Sequence, residues 1–144
     1  MKILVLNGPN MNLLGKREPG IYGHDTLSDI EKRLKKLALP KKDKIEFFQS
    51  NHEGDLIDRM QKTSADAVII NPAGLTHSSV SLRDALASLA IPKVEVHISN
   101  IYSREEFRHV SLISGACTAV ISGFGTLGYD YALQFLISHE KKSK

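Results

Sequence analysis

An α/β three-layer sandwich built on a five-stranded parallel sheet is the fold that this sequence predicts. Short, almost unbroken apolar runs alternate with amphipathic segments along the chain. Such runs suit strands covered by helices on both faces. The third observation is size: 144 residues suit one domain, and folding at that length buries roughly two-thirds of the unfolded chain's surface.

Lys2 to Leu6 reads as the first strand, its apolar run Ile3-Leu4-Val5-Leu6 stopping at Asn7-Gly8-Pro9-Asn10. No apolar run approaches the ~20 residues of a membrane span, and no leader pattern is visible. Thr26 to Leu39 reads as a helix, with Leu27, Ile30, Leu34 and Leu37 spaced three and four apart. Thr26 can cap it with Asp29 in the capping-box position, and Pro40 stops it. Ile45 to Gln49 is the second strand, and Glu53 to Lys62 a helix with Leu56, Ile57 and Met60 inward. Ala67 to Ile70 is the third strand, ending at Asn71-Pro72-Ala73-Gly74, and Ser79 to Leu89 the next helix. Pro92 opens the fourth strand, Lys93 to His97; Ala119 to Ser122 is the fifth, and a last helix runs from about Tyr129 to Ser138. Strands joined by helical crossovers pair in parallel. The arrangement that fits is flavodoxin-like, with strand order 2-1-3-4-5.

The net charge is +3, and much of the excess falls in Lys41-Lys42, Lys44 and the tail Lys141-Lys142-Ser143-Lys144. These clusters lack interleaved aromatics and any nucleic-acid motif, so they read as solvated surface. A small anionic substrate is compatible with them. The single cysteine, Cys117, excludes an internal disulfide and a cysteine-built metal site, and a cytoplasmic location is expected.

Ligands of open parallel sheets bind beyond the carboxyl ends of the strands, where strand order reverses. The tips of strands one, three and four here carry Asn7-Gly8-Pro9-Asn10, Asn71-Pro72-Ala73-Gly74 and Glu95-Val96-His97-Ile98-Ser99-Asn100. Polar groups of three central strands thus meet on one rim. The connection from Gly8 to Asp25 is long for a βα loop, and long loops are often lids. It holds Lys16, Arg17, Glu18 and Tyr22 between Gly15, Gly20 and Gly23.

Tyr22 reads either as a packing aromatic or as an acid-base phenol activated by Arg17. A free tyrosine titrates near 10, so a phenolate base at neutral pH needs about 4 kcal/mol of stabilisation from cationic neighbours. Arginine suits that task because it stays charged. His97 is either a structural strand-end histidine or a general acid. Glu95, two residues earlier on the same strand face, can hold a ring nitrogen and favour imidazolium. Asn71 and His77 also have ordinary uses, as turn cap and cap neighbour. Arg104 and Arg108, four apart, read either as sharing a helical face or as solvated surface charges.

Gly123-Phe124-Gly125-Thr126-Leu127-Gly128 matches G-x-G-x-x-G, but no further strand supplies the acidic residue a dinucleotide needs. It reads as a tight turn. Walker A, H-E-x-x-H and G-x-S-x-G sequences are absent. The rival to an enzyme is a non-catalytic small-molecule binding or receiver-like module, since fold alone does not fix function. Arg17-Tyr22 together with Glu95-His97 separates the two, because binding alone requires neither pair.

Six segments in order resemble type II 3-dehydroquinate dehydratase. They are Asn7-Gly8-Pro9-Asn10-Met11-Asn12-Leu13-Leu14-Gly15; Arg17-Glu18-Pro19 with Tyr22-Gly23; and Asn71-Pro72-Ala73-Gly74 with Thr76-His77-Ser78-Ser79-Val80 and Arg83-Asp84-Ala85. Val94 to Ile101, Arg104-Glu105-Glu106-Phe107-Arg108, and Gly123-Phe124-Gly125 with Gly128-Tyr129 complete the set. Leu75, Ser114-Gly115 and Ala119 depart from the family's habit, and none is a proposed chemical group.

The resemblance implies conversion of 3-dehydroquinate to 3-dehydroshikimate and water by anti elimination through an enolate, in the shikimate pathway or quinate catabolism. It implies no cofactor, no metal and no lysine Schiff base. Carried over, Tyr22 is the base, activated by Arg17, and Asn10 holds a water against the enolate oxygen. His97 is the general acid, oriented by Glu95. Asn71 and the amides of Ile98 and Ser99 hold the carboxylate, while His77 and Arg108 hold ring hydroxyls. Arg104 and Asp84 support the site, Asp84 by reaching a neighbouring subunit. A dodecamer of trimers is implied, with neither nucleic acid nor membrane as partner. The expected organisation is one catalytic domain over 1–144, with a mobile lid at about 15–25 and a frayed tail at 139–144.

Overall fold

The computed structural model describes residues 1–142 of the chain. Its elements in order are β1 (Lys2–Asn7), α1 (Pro19–Tyr22), α2 (Leu27–Ala38), β2 (Lys44–Gln49), α3 (Glu53–Gln61), β3 (Ala67–Asn71), α4 (Val80–Ser88), β4 (Lys93–His97), β5 (Ala119–Ser122) and α5 (Leu127–Lys142). The five strands form one sheet in the order β2-β1-β3-β4-β5, and every pairing is parallel. This is the topology read from the alternation of runs.

The two-residue period of the strands builds two cores. Ile3 and Val5 of β1, Ile69 of β3 and Val94 and Val96 of β4 pack with Ile30 and Leu34 of α2 and Leu133 and Leu136 of α5. Leu4, Leu6, Val68 and Ile70 point the other way, onto Leu56 and Met60 of α3 and Leu82 and Leu86 of α4. Asn7, Asn71 and His97 close β1, β3 and β4 at their carboxyl ends, whereas the covered stretches before them are mostly apolar. The fold thereby concentrates chemistry on one rim.

The caps follow the sequence closely. Thr26 and Asp29 exchange both bonds of a capping box at the start of α2, and the Ser79 hydroxyl accepts from the Leu82 amide to open α4. Gly8 is dictated by close approach: a Cβ there would lie 2.5 Å from the Pro72 carbonyl oxygen. That contact lets the Gly8 N–H donate to the Asn71 carbonyl at 2.8 Å, tying the tips of β1 and β3 together. In the glycine turn after β5, the Gly123 and Gly125 amides donate to the carbonyls of His97 and Ile98. Gly123 has φ +89, and a Cβ on Gly128 would press at 3.2 Å against Val96, so the turn holds α5 close to the tip of β4.

Three features differ from the expectation. The last helix begins at Leu127 and runs to Lys142, past the expected end near Ser138 and into the stretch where a tail was expected. His139 stacks on Phe135 at 5.5 Å and Ile137 belongs to the core, which extends the helix past Ser138. Ser143 and Lys144, the end of that expected tail, lie outside the described residues. The lid contains a one-turn helix, α1, between Glu18 (φ 43) and Gly23 (φ +77). Arg104 and Arg108 share no helix: separate 3-10 turns cover Ile101–Ser103 and Glu106–Arg108. No helix among the described residues is long and apolar enough to cross a membrane.

Candidate active site

The tips of β1, β3 and β4, the lid, and the segment after β4 enclose one cleft of about 160 Å³. Asn10, Asn71, His77, His97, Ile98 and Ser99 line its base and walls, with Arg17 and Tyr22 from the lid and Arg104 and Arg108 from the facing segment. Met11, Leu14 and Ile101 give it an apolar side. Glu95 lies behind His97, fully buried. Asp84 is exposed on α4 beside Arg83 and does not line this cleft.

His97 and Glu95 meet as their spacing on one strand face predicted. His97 Nε2 lies 2.6 Å from Glu95 Oε1. A carboxylate only accepts, so Nε2 carries the hydrogen and Nδ1 is the ring's other exchangeable position. Three hydroxyls complete the carboxylate's shell: Thr76 Oγ1 at 3.2 Å and Ser111 Oγ at 3.1 Å donate to Oε1, and Ser114 Oγ at 2.5 Å to Oε2. Burial opposes charge on Glu95. Hydrogen bonds from His97, Ser114 and Ser111 and the positive ring more than offset it, holding the carboxyl below its ordinary value. None of these hydroxyls was given a role from the sequence, where Thr76 stands only within a family segment and Ser114 only among the departures, yet Ser114 bonds the carboxylate directly.

The cation on the Tyr22 phenol is Arg104. Its Nη1 donates to the phenol oxygen at 2.8 Å, and its guanidinium sits 5.4 Å from the ring centroid. The same Nη1 reaches Ser99 Oγ at 3.3 Å. Arg17 was expected in that place. It lines the cleft, and its Nε lies 3.7 Å from Glu18 Oε2, both side chains half-exposed.

The remaining polar groups are fixed in place. His77 Nδ1 donates to the Val110 carbonyl at 2.8 Å, since a carbonyl only accepts, leaving Nε2 as the other ring position. Arg108 Nε donates to Glu105 Oε2 at 2.7 Å. Asn10 adopts the left-handed conformation, φ 68, which asparagine tolerates better than most residues. Its amide donates to Asn51 Oδ1 at 2.9 Å. Gln49 Nε2 donates to the same oxygen and to the Gly8 carbonyl, so two side chains at the tip of β2 grip the turn that carries Asn10.

The class II dehydroquinase family model matches residues 1–137. A Herminiimonas arsenicoxydans protein called 3-dehydroquinate dehydratase is 58% identical over 138 residues, spanning 94% of this chain and 95% of that one. An Endomicrobium trichonymphae protein of the same name is 55% identical over 139 residues, 95% and 97% of the two chains. The crystal structure of the type II dehydroquinase from Butyrivibrio crossotus superposes with a TM-score of 0.92 at 45% identity, covering 95% of this chain and 97% of that one. Sequence and backbone agree over nearly the whole length, and the chain belongs to the class II dehydroquinase family.

Proposed function

We propose that the cleft dehydrates 3-dehydroquinate with Tyr22 as the base and His97 as the acid. Conversion of 3-dehydroquinate to 3-dehydroshikimate and water, a hydro-lyase step of the shikimate pathway, is the reaction of the family. The observation that carries the assignment is a cation-held phenol and a carboxylate-held imidazole in one cleft.

The Tyr22 phenolate takes the proton from the carbon beside the ketone. The electron pair moves onto the carbonyl oxygen, giving an enolate that a water held by Asn10 stabilises. The enolate then reforms the ketone as the carbon–oxygen bond breaks on the opposite face. His97 gives its Nδ1 proton to the departing hydroxyl, which leaves as water. Glu95 keeps the other nitrogen occupied and supports the positive ring. Arg104 holds the phenol oxygen through direct contact, with Arg17 as a second cation from the lid. Asn71 and the backbone of Ile98 and Ser99 hold the substrate carboxylate, while His77 and Arg108 hold ring hydroxyls.

The lid at about 15–25 opens to admit substrate and closes to bring Tyr22 in. Gly15 (φ +87) is packed against the His24 carbonyl, whereas Gly20 and Gly23 have open space, which supports bending at the far end. The chain acts as a single domain in a dodecamer of trimers. Exposed Tyr102, Phe107 and Val110 beside Arg104, and Val120, Phe124 and Tyr131 at the β5 edge, support burial between copies, with Asp84 reaching a neighbour's cleft. A free thiol at Cys117 suits the reducing cytoplasm.

The test is to add 3-dehydroquinate and follow the ultraviolet absorbance of the conjugated enone. Wild-type protein gives a rising trace, and Tyr22→Phe lowers kcat by roughly 10²–10⁴ with KM within a few-fold. A flat trace from folded wild-type protein overturns the activity. Wild-type turnover by Tyr22→Phe overturns only the identity of the base.

A further inference from the structure

Where α5 crosses the tips of β1 and β3, three polar side chains sit among apolar ones. Tyr129 and Asn7 are fully buried and Asn71 nearly so. Asn7 and Asn71 are register partners across the two strands. Each continues the alternation, through Ile3 and Val5 or Ala67 and Ile69, that faces α5. The Tyr129 hydroxyl donates to Asn7 Oδ1 at 2.5 Å, and the Asn71 side chain is the other polar neighbour of that tyrosine oxygen. The far end of Asn71 is fixed too, because its Oδ1 accepts the Ala73 N–H at 3.1 Å.

Stability does not call for this arrangement. Asn7 Nδ2 is buried with no hydrogen-bond partner among the described residues, which weakens the fold. Replacing both members of a buried polar pair with apolar groups of like shape is often neutral or stabilising, and the surroundings are Val5, Ile69, Val96 and Leu133. What the trio does is aim an amide. Asn71 reaches the cleft, and with its Oδ1 tied to the Ala73 N–H its NH₂ has two hydrogens to place, one toward the Tyr129–Asn7 pair and one toward a ligand.

We propose that Tyr129 and Asn7 are positioning residues that lock the Asn71 amide with one N–H presented to the substrate carboxylate. This deepens the reading of Asn71 given above and rests on it. Neither Tyr129 nor Asn7 lines the cleft, so both act only through Asn71.

Tyr129→Phe keeps the ring and removes only the hydroxyl. The expected result is a KM for 3-dehydroquinate about tenfold higher with kcat within about twofold, and a thermal midpoint unchanged or raised. Asn7→Leu gives a smaller KM rise in the same direction and decides the matter by itself if Tyr129→Phe does not fold. Added to Asn71→Ala, Tyr129→Phe raises KM no further, as expected for residues acting as a unit. If Asn71→Ala raises KM and Tyr129→Phe does not, the relay is overturned and the role of Asn71 stands. A KM unmoved by Asn71→Ala overturns the role of Asn71 and the relay with it. A lowered midpoint with KM unmoved reduces Tyr129 to packing and overturns the proposal.

Discussion

Replacing Glu95 with glutamine keeps its shape and removes one negative charge. Glu95 is wholly buried, so water cannot make up the difference. It accepts from His97 Nε2 at 2.6 Å and from the hydroxyls of Thr76, Ser111 and Ser114. A hydrogen bond to a charged group contributes about 1.5–3 kcal/mol against about 1 kcal/mol for a neutral one. Losing the difference, about 1–2 kcal/mol, from the state in which the ring is positive lowers kcat roughly five- to thirtyfold. The enone absorbance assay, run at saturating substrate, reads that change directly. Thermal denaturation gives a second reading with a defined sign. The folded protein holds the Glu95 carboxyl below its ordinary value of 4.5, so its contribution to stability is complete above that pH. It is lost as the pH falls through the lower folded value. Glu95→Gln therefore has a flatter dependence of melting temperature on pH in the acid range than wild type. A folded variant with kcat within twofold of wild type refutes the claim that the carboxylate supports the acid.

The other expectations come from single contacts. Arg104→Gln lowers kcat at least tenfold more than Arg17→Gln does, because Arg104 donates directly to the phenol oxygen and Arg17 does not; equal losses in parallel assays would place Arg17 on equal terms. Asn51→Ala lowers kcat several-fold, whereas Asn51→Asp, which keeps the acceptor for the Asn10 amide, restores most of it; no rescue by aspartate would remove Asn51 from the support of Asn10. Gly8→Ala forces a Cβ against the Pro72 carbonyl and destabilises the protein by about 1–3 kcal/mol, measured by denaturant unfolding; a wild-type midpoint would show that the tips of β1 and β3 separate freely.

Local chemistry made much of this molecule legible in its sequence. The strands were visible because burial on both faces demands unbroken apolar runs, and the rim was visible because those runs end in asparagine, histidine and glutamate. Glu95 and His97 were paired by a two-residue period that any strand obeys. Thr26, Asp29 and Ser79 announced their helix starts through capping bonds that span three residues. Contacts made only by the closed fold were not legible. Arg104 meets Tyr22 across 82 positions, and Tyr129 meets Asn7 across 122. Arg17, five residues from Tyr22, was the nearer candidate for the phenol, and it lies beside Glu18 at the edge of the cleft. The hydroxyls of Ser111 and Ser114 come from an irregular segment whose path no periodicity records. The end of α5 depended on a ring contact and a core position that only the packed helix makes.

The hydroxyl shell of Glu95 bears on speed as well as placement. Water around an ion must reorient whenever nearby charge appears or vanishes, and that rearrangement is part of an activation barrier in solution. Here serine and threonine side chains stand in for such water, anchored by the backbone yet free to swing about one bond. In the proposed cycle, where the neighbouring ring alternates between cation and neutral form, these dipoles are already aimed and have little to undo.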